Sequence, residues 1–135
     1  MSSSKPGHVV LLGDSIFDNG VYVPGQPDVV RQLRAALPRG WQATLLAVDG
    51  AVTGGVARQL ERLPEGASLL VVSAGGNDAL GASHLLGQAV RTVAEGMAVL
   101  AAAQGEFAGR YRAMVEAVVA TGRPTALCTI YDANY

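Results

Sequence analysis

The chain is poor in the residues from which many sites are built. A single cysteine, Cys128, excludes an internal disulfide, and its place in the apolar run TALCTI predicts a small core residue. Only two histidines, His8 and His84, are present, so no His/Cys cluster can be read as a metal site, and neither a metal nor an organic cofactor is expected. Charge is sparse at 16% of residues and balanced at a net −1. Without a basic excess there is no electrostatic footprint for nucleic acid or for an anionic membrane. Aromatics make up 5%, too few for a broad stacking platform on polysaccharide. No apolar run approaches the ~20 residues of a membrane span, and MSSSKPGH lacks the apolar stretch of a signal peptide, so a cytoplasmic protein is expected. The nucleotide-binding patterns G-x-G-x-x-G and G-x-x-x-x-G-K-[ST] do not occur, nor does the G-x-S-x-G elbow.

What is present is core material. Half of the 135 residues are hydrophobic, a length and composition that suit one domain over residues 1–135. Short apolar runs alternate with segments of helical period. His8 to Leu12 reads as a first strand, apolar on both faces. Asp28 is placed to cap a helix VVRQLRAAL, with Val29, Val30, Leu33 and Leu37 on one side. Trp41 to Val48 reads as a second strand. Thr53 is placed to cap GGVARQLERL, with Val56, Leu60 and Leu63 on one face. Ser68 to Ala74 is a third strand, broken by GGND. Two helices are predicted next, Leu85 to Ala103 and Phe107 to Thr121, and then a fourth strand, Thr125 to Ile130. Continuously apolar strands between amphipathic helices predict an α/β fold, a doubly wound parallel sheet sandwiched by helices.

In such folds function gathers at the carboxyl ends of the strands. Here those ends carry Gly13-Asp14-Ser15, then VDGAVTGG, then Gly75-Gly76-Asn77-Asp78, whereas the opposite edge receives only the turns LPRG, LPEG and TGRP. GDSIFDNG resembles the first block of the GDSL, or SGNH, hydrolases, serine esterases and lipases on a flavodoxin-like sheet. DGAVTGG is similar to their glycine-bearing second block, and AGGND to their G-x-N-D third block, in the same order and at similar spacing. The resemblance implies an ester hydrolase acting on acyl esters. Ser15 is then the nucleophile, and its own N–H, the N–H of Gly54 and the side-chain amide of Asn77 form the oxyanion hole. Gly50 competes with Gly54 by position. Asp14 is expected to fix its loop by accepting backbone N–H bonds, and Asp78 to brace the Asn77 turn. Asp18, Asn19 and Tyr131 are expected near the substrate, as is Asn134 at the pocket border.

One component is missing. A serine needs a base, and the family supplies a His and an Asp from a D-x-x-H block after a further strand; no such block occurs before Tyr135. Three expectations follow. The 135 residues are the N-terminal portion of a longer domain, with the final strand, helix and His–Asp pair on a C-terminal segment or second chain. Alternatively, the scaffold is a catalytically inactive binding module, or His84 serves as an unorthodox base. A remote alternative is a receiver-like signalling domain, which Asp14, Asp78 and Thr129 mimic in part, although Lys5 is the sole lysine and the Gly-Gly-Asn stretch goes unexplained.

Overall fold

The computed structural model describes residues 5–132. Four parallel strands form one sheet: β1 (His8–Gly13), β2 (Gln42–Leu45), β3 (Leu69–Ser73) and β4 (Thr125–Leu127), in the order β2-β1-β3-β4. The central position of β1 explains its composition. Val9, Val10, Leu11 and Leu12 are all buried, because an inner strand of such a sheet is covered on both faces. Val10 and Leu12 join Leu70, Val72, Met114 and Val118 in one core cluster, and Val9 and Leu11 join Phe17, Val30 and Ala43 in another. The pairing Val9↔Leu69 through Gly13↔Ser73 keeps that alternation in step. Cys128 packs, half-buried, against the second cluster.

The first crossover helix, α1 (Val29–Ala36), begins where its cap predicts, with the Arg31 N–H donating to Asp28 Oδ1 at 3.0 Å. The second strand is shorter than its apolar run. After Leu45 the N–H groups of both Leu46 and Ala47 donate to the one carbonyl of Leu11, each at 2.9 Å, and that doubling turns the chain out of the sheet.

Two expectations need correction. Thr53 caps no helix: a 3₁₀ turn, Thr53–Gly55, runs into a short α2 (Val56–Leu60), and the Thr53 side chain is used elsewhere. The two long helices are one, α4 (Val93–Val119), preceded by α3 (Gly76–Ala82) and a 3₁₀ turn, Ser83–Gly87. Gly105 costs a helix only about 1 kcal/mol. Firm packing lies beyond it at Met114 and Val118, with the Phe107 and Tyr111 rings meeting at a tilt of 50° and a 5.7 Å centroid separation. At the other end Thr92 Oγ1 accepts the Glu95 N–H at 3.1 Å while the Glu95 carboxylate reaches back to the Arg91 N–H at 2.8 Å, a reciprocal cap that sets the true start. No described helix is long and apolar enough to cross a membrane, α4 included.

Candidate active site

Two glycines bring the motif residues to the carboxyl edge of the sheet. Gly13 ends β1 with φ of 123°, and a Cβ there would lie 1.7 Å from the Ser73 carbonyl oxygen. Gly75, with φ of 124°, follows β3, and a Cβ there would meet Ile130 at 2.6 Å. Only glycine meets both demands. Asp14 N–H then crosses to Ser73 O at 3.1 Å, so the first and third blocks leave neighbouring strands already joined. Ser15 lies two residues past the Gly13↔Ser73 pair and Asn77 four residues past it.

The Gly13 peptide is held by a side chain that the sequence motifs do not include. Gln59, buried on α2, accepts the Gly13 N–H and donates its amide to the Gly13 carbonyl, both at 2.8 Å. Its signal was a polar residue three positions after Val56 and four before Leu63, on the face otherwise counted as apolar.

Asp14 is buried, and its carboxylate Oδ1 accepts the Ile16 N–H at 3.0 Å, which shapes the turn carrying Ser15. Burial pushes its pKa above the usual aspartate range, opposed by that backbone bond. Ser15 itself is half-buried, and its hydroxyl makes no hydrogen bond among the described residues.

Asp78 does more than brace its own turn. Its side chain, 3% exposed, accepts the Thr53 N–H on Oδ2 and the Thr53 hydroxyl on Oδ1, both at 2.9 Å, and lies 3.6 Å from the Arg110 guanidinium of α4. The second and third blocks are thus tied through one carboxylate. Next to that tie, Gly54 is exposed, open space lies where a Cβ would be, and its N–H has no partner among the described residues. A helix-start N–H in that state is an orphan donor. The Asn77 amide donates one N–H to Ala51 O at 2.9 Å, which fixes its plane and leaves its second N–H to point elsewhere.

Gly54, Asn77, Asp78 and His84 line one cleft of about 710 Å³, bounded on the far side by α4. Gly50 does not line it, occupying a positive-φ turn on a neighbouring cleft. Ser15 does not line it either; it stands at the adjoining strand end. His84 donates Nδ1–H to the Gly81 carbonyl at 2.9 Å. His8 is at the opposite end of the sheet, bonded to Thr44 Oγ1 at 2.7 Å.

The residues expected near substrate hold the loops. Asp18 Oδ2 accepts the Asp49 N–H at 2.7 Å, and Asp49 in turn accepts the Tyr22 hydroxyl. Asn19 Oδ1 accepts the Val29 N–H, adding a second tie at the start of α1. Tyr131 is exposed beside the third block, its Cε1 3.5 Å from where a Gly76 Cβ would sit. Asn134 lies outside the described residues. Among the described residues no group of three or more His, Cys, Asp or Glu side chains gathers as a cation site, and the Asp14 and Asp78 carboxylates are occupied by backbone and Thr53. A receiver-like acidic cluster is therefore not formed by these residues.

No curated protein sequence matches the chain. Among solved structures, the extracellular lipase of Streptomyces rimosus superposes with a TM-score of 0.57 at 25% identity, over 90% of this chain and 58% of that one. Phospholipase A1 of Streptomyces albidoflavus NA297 gives a TM-score of 0.58 at 24% identity, over 90% and 58%. A mutant of the esterase AlinE4 gives 0.56 at 22% identity, over 93% and 60%. The chain therefore spans about three fifths of the length of these structures, whose fold it shares. The profile of the GDSL-like lipase/acylhydrolase family matches residues 11–134, from within β1 nearly to the last residue of the sequence, and takes in all three strand-end blocks. On that match the chain belongs to the GDSL-like lipase/acylhydrolase family.

Proposed function

We propose that these residues carry the nucleophile and oxyanion hole of a serine carboxylic ester hydrolase. The observation that carries this reading is the pair of donors beside one cleft: the unpartnered Gly54 N–H and the free N–H of an Asn77 amide whose plane is already set. Donors fixed before the substrate arrives stabilise an oxyanion without reorganising, and removing one typically lowers turnover about 10²–10³-fold. Ser15, on the turn shaped by Asp14, attacks the ester carbonyl. Its proton passes to a histidine, and the carbonyl electron pair moves onto the oxygen that the Ser15 N–H, Gly54 N–H and Asn77 amide hold. Collapse expels the alcohol, which takes the proton, and water then releases the acid by the same steps.

The histidine and its aspartate come, in this reading, from a C-terminal segment or a second chain outside these 135 residues. A second reading, a silent binding module, draws on a specific observation: neither His8 nor His84 bonds a carboxylate among the described residues. Fluorophosphonate labelling followed by intact mass separates them. One adduct that disappears in Ser15→Ala supports the hydrolase, and its disappearance in His84→Ala as well would make His84 the base. No adduct on any form of the protein that carries the His–Asp pair would refute the hydrolase and leave the binding module.

A further inference from the structure

The three strand-end blocks are tied to one another in pairs. The Asp14 N–H on Ser73 O joins the first to the third, and the Asp78 carboxylate on Thr53 joins the third to the second. First and second meet where the second block begins, with the Val48 N–H on Gly13 O at 3.0 Å and the Asp49 N–H on Asp18 Oδ2 at 2.7 Å. Between these bonds and Gly54, however, lies the Gly50 turn at φ of 80°, so neither of them fixes Gly54. The first block is tied beyond that turn by the Gln59 amide, which takes both the N–H and the carbonyl of Gly13 at 2.8 Å. Gln59 is 5% exposed and belongs to the same run of 3₁₀ and α-helical turns, Thr53–Gly55 and Val56–Leu60, that carries Gly54.

Resting on the hydrolase reading, we infer that Gln59 is a positioning residue for the reaction: it sets the spacing between the nucleophile turn and the second oxyanion donor. Ser15 is two residues beyond Gly13, and Gly54 is five residues before Gln59. A helical run of that length, about 8 Å, is stiff, so a shift of Gln59 against Gly13 reaches the Gly54 N–H nearly undiminished. Glutamine suits the task because one planar amide offers an acceptor and a donor together, matching the N–H and C=O of a single residue. The other attachments of the run, Val56 in the core and Thr53 on Asp78, lead to the sheet face and to the third block. Removing the amide therefore displaces a donor without deleting it. Deleting one costs about 10²–10³-fold in turnover, and a misplacement of about 1 Å costs up to about 10²-fold, so a loss of about 10–100-fold in kcat is expected. The donors act on the transition state, which leaves KM nearly unchanged.

Hydrolysis of p-nitrophenyl butyrate by the protein with its full complement of catalytic residues gives kcat and KM. Inhibition by an alkyl trifluoromethyl ketone, which forms a tetrahedral adduct with an activated serine, reports on the oxyanion site separately. Gln59→Met keeps the length of the side chain and removes both bonds. Arg123→Met is the comparison: Arg123 donates to the Ala67 and Glu65 carbonyls at the opposite edge of the sheet, so its loss weakens the fold away from the blocks. At a temperature where urea curves show each protein folded, Gln59→Met should lose about 10–100-fold in kcat, with KM within about two-fold, and bind the ketone more weakly by a similar factor. Arg123→Met should keep all three within about two-fold. In Gln59→Glu the protonated carboxyl repeats the amide's acceptor and donor, whereas the carboxylate faces the Gly13 carbonyl as a second acceptor. Its kcat relative to wild type at the same pH should rise as the pH is lowered from about 8 to about 5, and this readout holds even if Gln59→Met does not fold. Wild-type kcat in Gln59→Met, an equal loss in Arg123→Met, or a flat ratio in Gln59→Glu would reduce Gln59 to a residue of the fold alone. Absence of Ser15-dependent hydrolysis in the wild type is a different failure, which overturns the hydrolase reading and the positioning role with it.

Discussion

Replacing Asp78 by alanine should cost far more than its single charge suggests. Thr53 is 1% exposed, and both its N–H and its hydroxyl donate to this carboxylate at 2.9 Å. Truncation strands both donors in the interior, at about 1–3 kcal/mol each. The Arg110 guanidinium is 3.6 Å away but half exposed, so its loss adds little. The expected destabilisation is about 3–5 kcal/mol, a large share of the ~5–15 kcal/mol that holds a typical domain. Asp78→Asn keeps the shape: its amide oxygen still accepts the Thr53 N–H, and its NH₂ donates to a hydroxyl that turns to accept, so about 1 kcal/mol is expected. Urea denaturation followed by circular dichroism measures both. In a Thr53→Val background the alanine change should cost less by about 1–2 kcal/mol, since one stranded donor is already gone. Should Asp78→Ala unfold within about 0.5 kcal/mol of wild type, the tie between the second and third blocks does not hold them. The same would follow if the asparagine variant were as unstable as the alanine one.

Three further outcomes follow from other residues. Gln59→Leu leaves the buried Gly13 N–H without its acceptor, although the Val48 N–H still serves the Gly13 carbonyl; a loss of about 1–3 kcal/mol in chemical denaturation is expected. Gly13→Ala, whose Cβ would meet backbone at 1.7 Å, should fail to give a folded product, as seen by soluble yield and circular dichroism; a native-like spectrum would contradict it. Burial raises the Asp14 pKa, so the native state binds that proton more tightly than the unfolded chain, and ionised Asp14 costs stability as pH rises through the folded pKa. Asp14→Asn, which keeps an oxygen for the Ile16 N–H, should therefore gain on wild type at about pH 7 and lose that advantage towards about pH 4; a difference that grows on acidification would refute the sign.

Local chemistry was legible along the chain wherever it decided the outcome alone. The strands, the Asp28 cap and the positions of the three motif blocks at strand ends all rest on a few consecutive residues. Where the structure departs from expectation, a distant partner decided. Thr53 has the form of a cap, yet its hydroxyl goes to Asp78, twenty-five residues on. Gln104-Gly105-Glu106 reads as a break, yet the helix continues through it between the Thr92 cap and the packing at Met114 and Val118. Asp18 and Asn19 have the polarity of a pocket mouth or of loop caps alike, and nothing local names Asp49 and Val29 as the partners their oxygens take. Gln59 could have been found as the one polar residue on a buried face, although nothing local names Gly13 as its partner.

The 27 residues of α4 extend about 40 Å, while β3 beneath it, with five residues, spans about 17 Å. Its buried residues, Met114 and Val118, both lie in the last two turns, so the first half projects past the sheet like a cantilever fixed at one end. A cantilever moves most at its tip: a tilt of a tenth of a radian about Gly105 would carry Val93 by roughly 2 Å, on the scale of a methyl group. The spacing between α4 and the Ser83–Gly87 turn is therefore softer than any spacing within the sheet. Amide exchange along this one helix should be uneven, fast before Gly105 and slow after Tyr111. A rigid floor beneath a compliant wall leaves the width of the hollow between them to be set by what fills it.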